Sequence, residues 1–389
     1  TDEFIIHSPT LTSTKWWPGE LGWNANTCVC FAQMIIKGKN HGVHSFVVPI
    51  RDRENNKPLP GIKVGDIGPK LGYASKDNGF VRFDNVRVPR ANLLARYTNV
   101  DREGKYERRG NEKISYAVMM TIRDLLNHSS WKFMANALTI AIRYSIIRTQ
   151  FKAEKKGPER QVIDYQTQQD KLLTNLAMTY AIHSGAWKAT EIAQENVKRI
   201  YDKNDFSLMG ELHAILSGCK AIYSWDALEQ LNIIRMSAGG HGYSSYSGLP
   251  LLQTEYAVNC THEGENTVMA LQTARFLIGN LTRIQNGKKA LGHAAFLNKI
   301  GDFMEGKVKC KAESADDFCI ETLDQMMAAS TIAYVLHAGN RLMEGAQAHD
   351  GKMKESWDKE AGSDLVEAAR SFIYYFSFSC LRKNIQGIQ

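Results

Sequence analysis

Two carboxylates flank a glycine just before an apolar pattern of helical spacing, in the segment CTHEGENTVMALQTAR, residues 260–275. Acidic side chains at a helix start are stabilised by the helix dipole, and this is our interpretation of Glu265. A carboxylate held beside a glycine turn can also act as a general base, and Glu263 is the candidate for that role. His262 is either a second titrating group or a structural residue.

A glycine-rich segment, SAGGHGYSSYSGLP, residues 237–250, follows a long helical pattern and contains Gly239, Gly240, Gly242 and Gly248. Glycine lets the backbone approach a ligand closely and adopt positive φ. The alternative interpretation is a helix C-cap followed by a loop. The segment is neither a P-loop nor a dinucleotide fingerprint, because no Gly-Lys-Ser/Thr follows and the preceding element is helical.

Two further segments contain groups suited to a planar or phosphate-bearing ligand. Trp16 and Trp17 precede a Pro-Gly turn, and in a strand they would face opposite sides. We expect one of them in the core and the other over a ligand or at the rim. Arg148 ends a long helical pattern near Gln166 and Gln168. An arginine with nearby amides can hold a pyrophosphate, although a solvated helix end explains the same pattern.

The composition excludes several classes of protein. Lys and Arg outnumber Asp and Glu by 48 to 41, a net charge of +7 that suits a phosphate-bearing ligand or solubility alone. No basic run interleaved with aromatic residues suggests nucleic acid. Seven cysteines lack the spacing of a zinc site, so no metal is expected. No HExxH, GxSxG or paired C-x-x-C motif is present, and no apolar run approaches the ~20 residues of a membrane helix.

The order of elements predicts an α+β multidomain protein. Residues 1–110 contain short segments rich in β-branched and aromatic residues and most of the nine prolines, which indicates an antiparallel β domain. Residues 111–290 show long patterns with apolar residues three and four apart, which indicate a four-helix bundle. Residues 291–389 are expected to be part of a second helical domain. The predicted helices are Ser115–Phe151, Tyr165–Ile200, Ser207–Met236, Glu265–Gln285, Asp316–Glu344 and Ser363–Arg382.

Taken together, the segments resemble peroxisomal acyl-CoA oxidases, within the superfamily of the acyl-CoA dehydrogenases. Eight separated segments agree with that family in the same order. They are KWWPG at 15–19, PLPGI and VGDIGPK within 58–70, DNGF-R at 77–82, N-VRVPR at 85–90, TIAIRYS at 139–145, DYQTQQ-KL at 164–172, GGHGYS-SGLP at 239–250 and EGENTV at 263–268.

The resemblance implies a fold and a reaction. The family has an N-terminal helical part, a middle β domain, a four-helix bundle and a second helical domain, so this chain is expected to begin in the middle domain and stop in the last. Glu263 would be the catalytic base that takes the α proton of a fatty acyl-CoA. The β hydrogen would pass to FAD as a hydride, and O₂ would reoxidise the flavin. The products would be a trans-2-enoyl-CoA and H₂O₂, the first step of peroxisomal fatty acid β-oxidation.

The resemblance also implies a cofactor site, a partner and a compartment. The FAD-binding residues would be Gly19, Trp17, Arg148, Gln166, Gln168, Gly239, Gly240 and Gly242. In the family several of these reach the flavin of the neighbouring subunit, so a homodimer in the peroxisome is expected. His262 stands where relatives carry Phe; a cationic His262 would lower the pKa of Glu263, and a neutral one would do little. The alternatives are a dehydrogenase that uses a carrier flavoprotein and a non-catalytic member of an assembly.

Overall fold

The computed structural model describes residues 2–109, 114–309 and 312–387. It divides into two compact units, Thr1–Tyr116 and Ala117–Gln389. The first unit is built of strands and the second almost entirely of helices, as the sequence predicted. The boundary lies within a few residues of the predicted change from β to α structure.

The strands of the first unit pair only in antiparallel fashion among the residues described. The pairs are β1 with β7, β3 with β4 and β8 with β9, and β6 lies between β2 and β5. The strands are β1 Glu3–Ile6, β2 Lys15–Gly19, β3 Thr27–Ile36, β4 Lys39–Pro49, β5 Ile62–Asp66, β6 Asn78–Phe83, β7 Val86–Pro89, β8 Thr98–Val100 and β9 Tyr106–Arg108. The predicted antiparallel β domain is therefore confirmed.

Local sequence explains the longest of these pairings. Strands β3 and β4 are joined at Lys37 and Gly38, which both have positive φ, as a two-residue hairpin turn requires. In β6, alternate residues are buried, with Val81 and Phe83 each 1% exposed. This alternation places one face of the strand on the core of the first unit, with Phe46 of β4 in the same cluster.

The second unit contains ten helices within its described residues, and all six predicted helices are found. They are α1 Ile114–Ile147, α2 Gln166–Lys203, α3 Met209–Ser237, α4 Gly240–Tyr243, α5 Leu249–Tyr256, α6 Asn266–Gln285, α7 Ile300–Met304, α8 Ile320–Ala348, α9 Met353–Lys359 and α10 Gly362–Gln386. The end of the first predicted helix was wrong. Residues Thr149–Lys152 form strand β10, which pairs with β11, Glu159–Gln161, before α2 begins.

Helix α3 is the centre of the second unit. Most of its residues from Met209 to Ile234 are buried, and one hydrophobic cluster runs from α1 to α10. The hydroxyls of Tyr223 in α3 and Ser377 in α10 are hydrogen-bonded at 2.6 Å. Helix α10, which was predicted to lie in a second helical domain, thus shares the core of the helices before it. The division at residue 291 stays a prediction. Within the described ranges, no helix is long and apolar enough to cross a membrane.

Candidate active site

The segment around Glu263 forms a tight turn before α6. Glu263 has a φ of +56° and Gly264 a φ of +112°, both in the region that most side chains avoid. The carboxylate of Glu265 accepts hydrogen bonds from the backbone N–H groups of Thr267, at 2.9 Å, and Val268, at 3.2 Å. Glu265 is therefore the N-cap of α6, which confirms its predicted structural role.

The other end of the motif is buried. Asn266, the first residue of α6, is fully buried and donates from its amide to the carbonyl of Ala221 and the hydroxyl of Ser224. Its Oδ1 accepts a hydrogen bond of 2.8 Å from the ammonium of Lys220. Lys220 also donates to the carbonyl oxygen of Gly264, so one buried lysine in α3 holds the turn at two points.

A second cation approaches the turn from α1. Arg123 is buried, and its Nε–H donates to the carbonyl oxygen of Glu263 at 3.4 Å. Burial lowers the pKa of Arg123, while the nearby Glu263 acts to raise it. The side chain of Glu263 is itself exposed. The backbone of the candidate base is thus held from inside the helical unit while its carboxylate faces outward.

His262 is half-buried beside the candidate base. Burial lowers its pKa, the charge of Lys220 lowers it further, and Glu263 and the carbonyl of Val258 act in the opposite direction. The ring Nδ1 lies 3.0 Å from that carbonyl, so the proton is on Nδ1. The lowered pKa favours the neutral form of His262, which is the case in which it has little effect on Glu263.

The glycine-rich segment begins directly after α3. Gly239 has φ +58° and ψ −137°, a conformation that favours glycine. A Cβ on Gly242 would lie 1.8 Å from the carbonyl oxygen of Arg235, so only glycine allows the turn α4 to pack on the end of α3. A Cβ on Gly240 would meet nothing within 4 Å. Part of the segment interpreted as a possible loop is therefore helical. Gly242 is required for the packing of α4 on α3, whereas Gly240 leaves open space beside the backbone.

A cleft of about 700 Å³ brings three predicted residues together. It is lined by Arg148, Gly239 and Gly240, with Tyr144 and His241 among its other residues. Arg148 follows the last residue of α1, and its exposed guanidinium donates to Oε1 of Gln150 at 3.0 Å. The cleft combines a positive charge with exposed glycine backbone, which is the chemistry that binds a phosphate group.

The two glutamines that were predicted to bind the cofactor differ in their exposure to solvent. Gln166 is exposed at the start of α2, whereas Gln168 is 6% exposed. The Nε2 of Gln168 donates to the hydroxyl of Ser145, at 3.0 Å, and to the carbonyl of Ser237, at 2.9 Å. Neither glutamine lines the cleft, and neither does Gly242. Gln168 instead supports the residues that precede Gly239.

Trp17 and Gly19 lie in the first unit, on strand β2. Trp16 and Trp17 are 52% and 56% exposed, so the expectation that one of them is in the core was wrong. The pairing of β2 with β6 is irregular between Trp16 and Gly19, and Trp17 has a φ of +88°. This backbone irregularity removes the strict alternation on which the expectation depended. Trp16 stacks on Phe80, with 5.2 Å between the ring centroids.

Three residues that support the Glu263 turn were not predicted from the sequence: Lys220, Asn266 and Arg123. Lys220 had a visible signal, because it is a single charge within the otherwise uncharged helical segment AILSGCKAIYSW, residues 214–225. A lysine with buried neighbours on every side of a helix must find internal acceptors. Among the residues described, no group of three or more His, Cys, Asp or Glu side chains is arranged to hold a metal ion.

Comparison with known proteins gives a consistent assignment. Residues 116–278 match the family model described as acyl-CoA oxidase, C-alpha1 domain. Peroxisomal acyl-coenzyme A oxidase 1 of Mus musculus is 40% identical over 400 residues, and that of Pongo abelii is 45% identical over 402 residues. Each alignment covers 100% of this chain and 59% of the relative, so the chain spans about three fifths of their length.

Solved structures of acyl-CoA oxidases are similar to this chain over nearly its whole length. Acyl-CoA oxidase 1 of Arabidopsis thaliana superimposes with a TM-score of 0.93 at 34% identity, covering 99% of this chain and 58% of that one. Acyl-CoA oxidase-1 of Caenorhabditis elegans, crystallised with FAD and ATP, gives 0.90 at 34% identity, covering 100% and 56%.

A β unit followed by a helical unit, with a glutamate turn at the start of a helix, is the arrangement expected for the acyl-CoA dehydrogenase and oxidase superfamily. Within that superfamily, the chain belongs to the acyl-CoA oxidase family.

Proposed function

We propose that the protein is an FAD-dependent acyl-CoA oxidase, which converts a fatty acyl-CoA and O₂ to a trans-2-enoyl-CoA and H₂O₂. The observation that carries the proposal is the Glu263 turn, where an exposed glutamate stands on a backbone held by hydrogen bonds from two buried cations, Arg123 and Lys220. The relatives named as peroxisomal acyl-coenzyme A oxidases support this reaction and a peroxisomal location.

Glu263 is the base in this proposal. The α C–H of a thioester is a weak acid, so its removal requires a carboxylate in a defined position and hydrogen bonds to the developing enolate oxygen. Burial lowers the pKa of His262, which favours a neutral ring beside the carboxylate. Glu265 is committed to capping α6, so it is not available as a base in its place.

The cleft beside the glycine-rich segment fits the pyrophosphate of FAD. Arg148 supplies a guanidinium there, and the open space at the Cβ positions of Gly239 and Gly240 leaves room for a ligand against the backbone. Bound FAD would supply the hydride acceptor for the β hydrogen and react with O₂. The Caenorhabditis elegans relative crystallised with FAD supports this cofactor.

The other predicted cofactor residues do not line the cleft. Gln168 holds the backbone before Gly239, and Gly242 allows α4 to pack on α3, so both would act on the cofactor through the shape of the segment. Gln166, Trp17 and Gly19 are exposed, as contact with a ligand or a second subunit requires. Their contact with FAD and the homodimer rest on the resemblance.

The test is H₂O₂ release by the full-length, FAD-loaded protein acting on a long-chain acyl-CoA, measured beside Glu263→Gln. We expect stoichiometric peroxide from the parent and almost none from the variant. Flavin bleaching without peroxide would identify a dehydrogenase instead. Failure of the full-length protein to bind FAD would identify a non-catalytic member of the family.

A further inference from the structure

Lys220 occupies an unusual position for a charged residue. It is 1% exposed in the middle of α3 and is among the largest fully buried side chains. Its two hydrogen-bond acceptors, the carbonyl of Gly264 and Oδ1 of Asn266, are neutral. Moving an ammonium group from water to two neutral acceptors costs stability, and an apolar side chain of similar length would avoid that cost.

Both acceptors belong to the turn that presents Glu263. The Gly264 carbonyl sets the plane of the peptide that follows the two residues of positive φ. Such a backbone conformation costs on the order of 1–3 kcal/mol and persists only where the surrounding structure holds it. Asn266 fixes the start of α6 against α3 through Ala221 and Ser224. Lys220 therefore connects the rigid centre of the unit to two residues of the segment that directly follows Glu263.

We propose that Lys220 is a positioning residue for the Glu263 carboxylate. By holding the Gly264 carbonyl and the Asn266 side chain, its ammonium fixes the direction in which Glu263 leaves the backbone. This inference rests on the proposed role of Glu263 as the base, and it adds that the base depends on a lysine that does not contact the substrate. The contact of Arg123 with the Glu263 carbonyl, at 3.4 Å, is longer and secondary.

The experiment compares Lys220→Met with Thr273→Val in the full-length, FAD-loaded protein. Methionine keeps the length and removes the donor. Thr273 is the matched control, because it is fully buried in α6 and bonds to the Ala214 carbonyl of α3 at 2.7 Å. It follows Asn266 by two helical turns, about 10 Å. Three quantities are measured: flavin reduction by acyl-CoA without O₂, the apparent Kd of acyl-CoA, and amide hydrogen exchange of residues 261–268.

For Lys220→Met we expect flavin reduction to slow by about 10- to 100-fold, because a small misplacement of a catalytic group has an effect of this size. The apparent Kd should stay within about threefold and the FAD content should be unchanged, since the substrate contacts remain. Exchange of residues 261–268 should become faster. Thr273→Val should lower the melting temperature without either effect.

A Lys220→Met protein that reduces its flavin at the parent rate would overturn the inference, as would equal slowing in Thr273→Val. If the parent itself does not reduce flavin with acyl-CoA, the proposed function fails; unchanged exchange of residues 261–268 would then overturn the positioning role separately. Should Lys220→Met not fold, Lys220→Gln, which keeps a neutral donor, must give an intermediate rate, and a rate equal to that of the parent would contradict the inference.

Discussion

The side-chain amide of Gln168 donates a hydrogen bond of 2.9 Å to the main-chain carbonyl of Ser237. This contact joins the first turn of α2 to the last residue of α3, two residues before Gly239. The same amide nitrogen reaches Ser145 near the end of α1, at 3.0 Å. One buried glutamine therefore holds together the three helix ends that surround the cleft of Arg148 and Gly239.

Replacing Gln168 by alanine should affect stability and cofactor binding together. Loss of a buried amide that satisfies two oxygens should lower the free energy of unfolding by about 1–3 kcal/mol and weaken FAD binding. Gln166→Ala, at an exposed position of the same helix, should change the unfolding free energy by less than about 0.5 kcal/mol. Urea denaturation and flavin titration measure the two quantities. Equal loss of stability in both variants would contradict the supporting role of Gln168.

Alanine substitutions at Gly242 and Gly240 should likewise have different effects, one on stability and the other on FAD binding. Gly242→Ala introduces a Cβ at 1.8 Å from the Arg235 carbonyl and should destabilise the protein by about 1–3 kcal/mol or more. Gly240→Ala meets nothing within 4 Å and should fold normally, while its methyl group enters the cleft and weakens FAD binding. Melting temperature and FAD affinity distinguish the two. A stable Gly242→Ala protein would show that α4 packs differently.

Lys220 should also give the protein a specific pH dependence. Burial lowers the pKa of Lys220 from 10.5 to about 8, with Cys260, Glu263 and Glu265 favouring the charged form and Arg123 opposing it. Between these two values the unfolded chain keeps a proton that the folded chain has lost, so the stability of the folded state rises with pH through this window. The unfolding free energy of the parent, relative to Lys220→Met, should therefore increase from about pH 8 to about pH 10.5. A constant difference would show that the lysine titrates normally.

The sequence predicted the elements better than their ends and contacts. Apolar spacing located all six long helices, because each buries a continuous stripe. The end of α1 was misplaced because Phe151 continues the three- and four-residue spacing from Ile147, although it lies in strand β10 and has a φ of +57°. Nothing in local spacing distinguishes a helical phenylalanine from one in such an irregular hairpin.

The candidate site could be predicted only in part. The motif around Glu263 and the glycine segment were visible as residue types, and a structural role for Glu265 followed from its place at the start of a predicted helix. The support of the turn by Lys220 joins residues 44 positions apart in the chain, and no local pattern encodes that contact. The exposure of Trp17 likewise depends on how β2 pairs with β6.

The most direct test of the account compares Glu263→Gln with Glu265→Gln in one experiment. Both variants remove one carboxylate, and the two positions flank the same glycine. The measurement is the flavin absorbance of the full-length, FAD-loaded protein after mixing with acyl-CoA in the absence of O₂. The account predicts that Glu263→Gln slows bleaching by about 10²- to 10⁴-fold, the usual contribution of one general base. It predicts that Glu265→Gln, which keeps a capping oxygen, stays within about threefold of the parent. Bleaching at the parent rate in Glu263→Gln, or its loss only in Glu265→Gln, would contradict the assignment of Glu263 as the base.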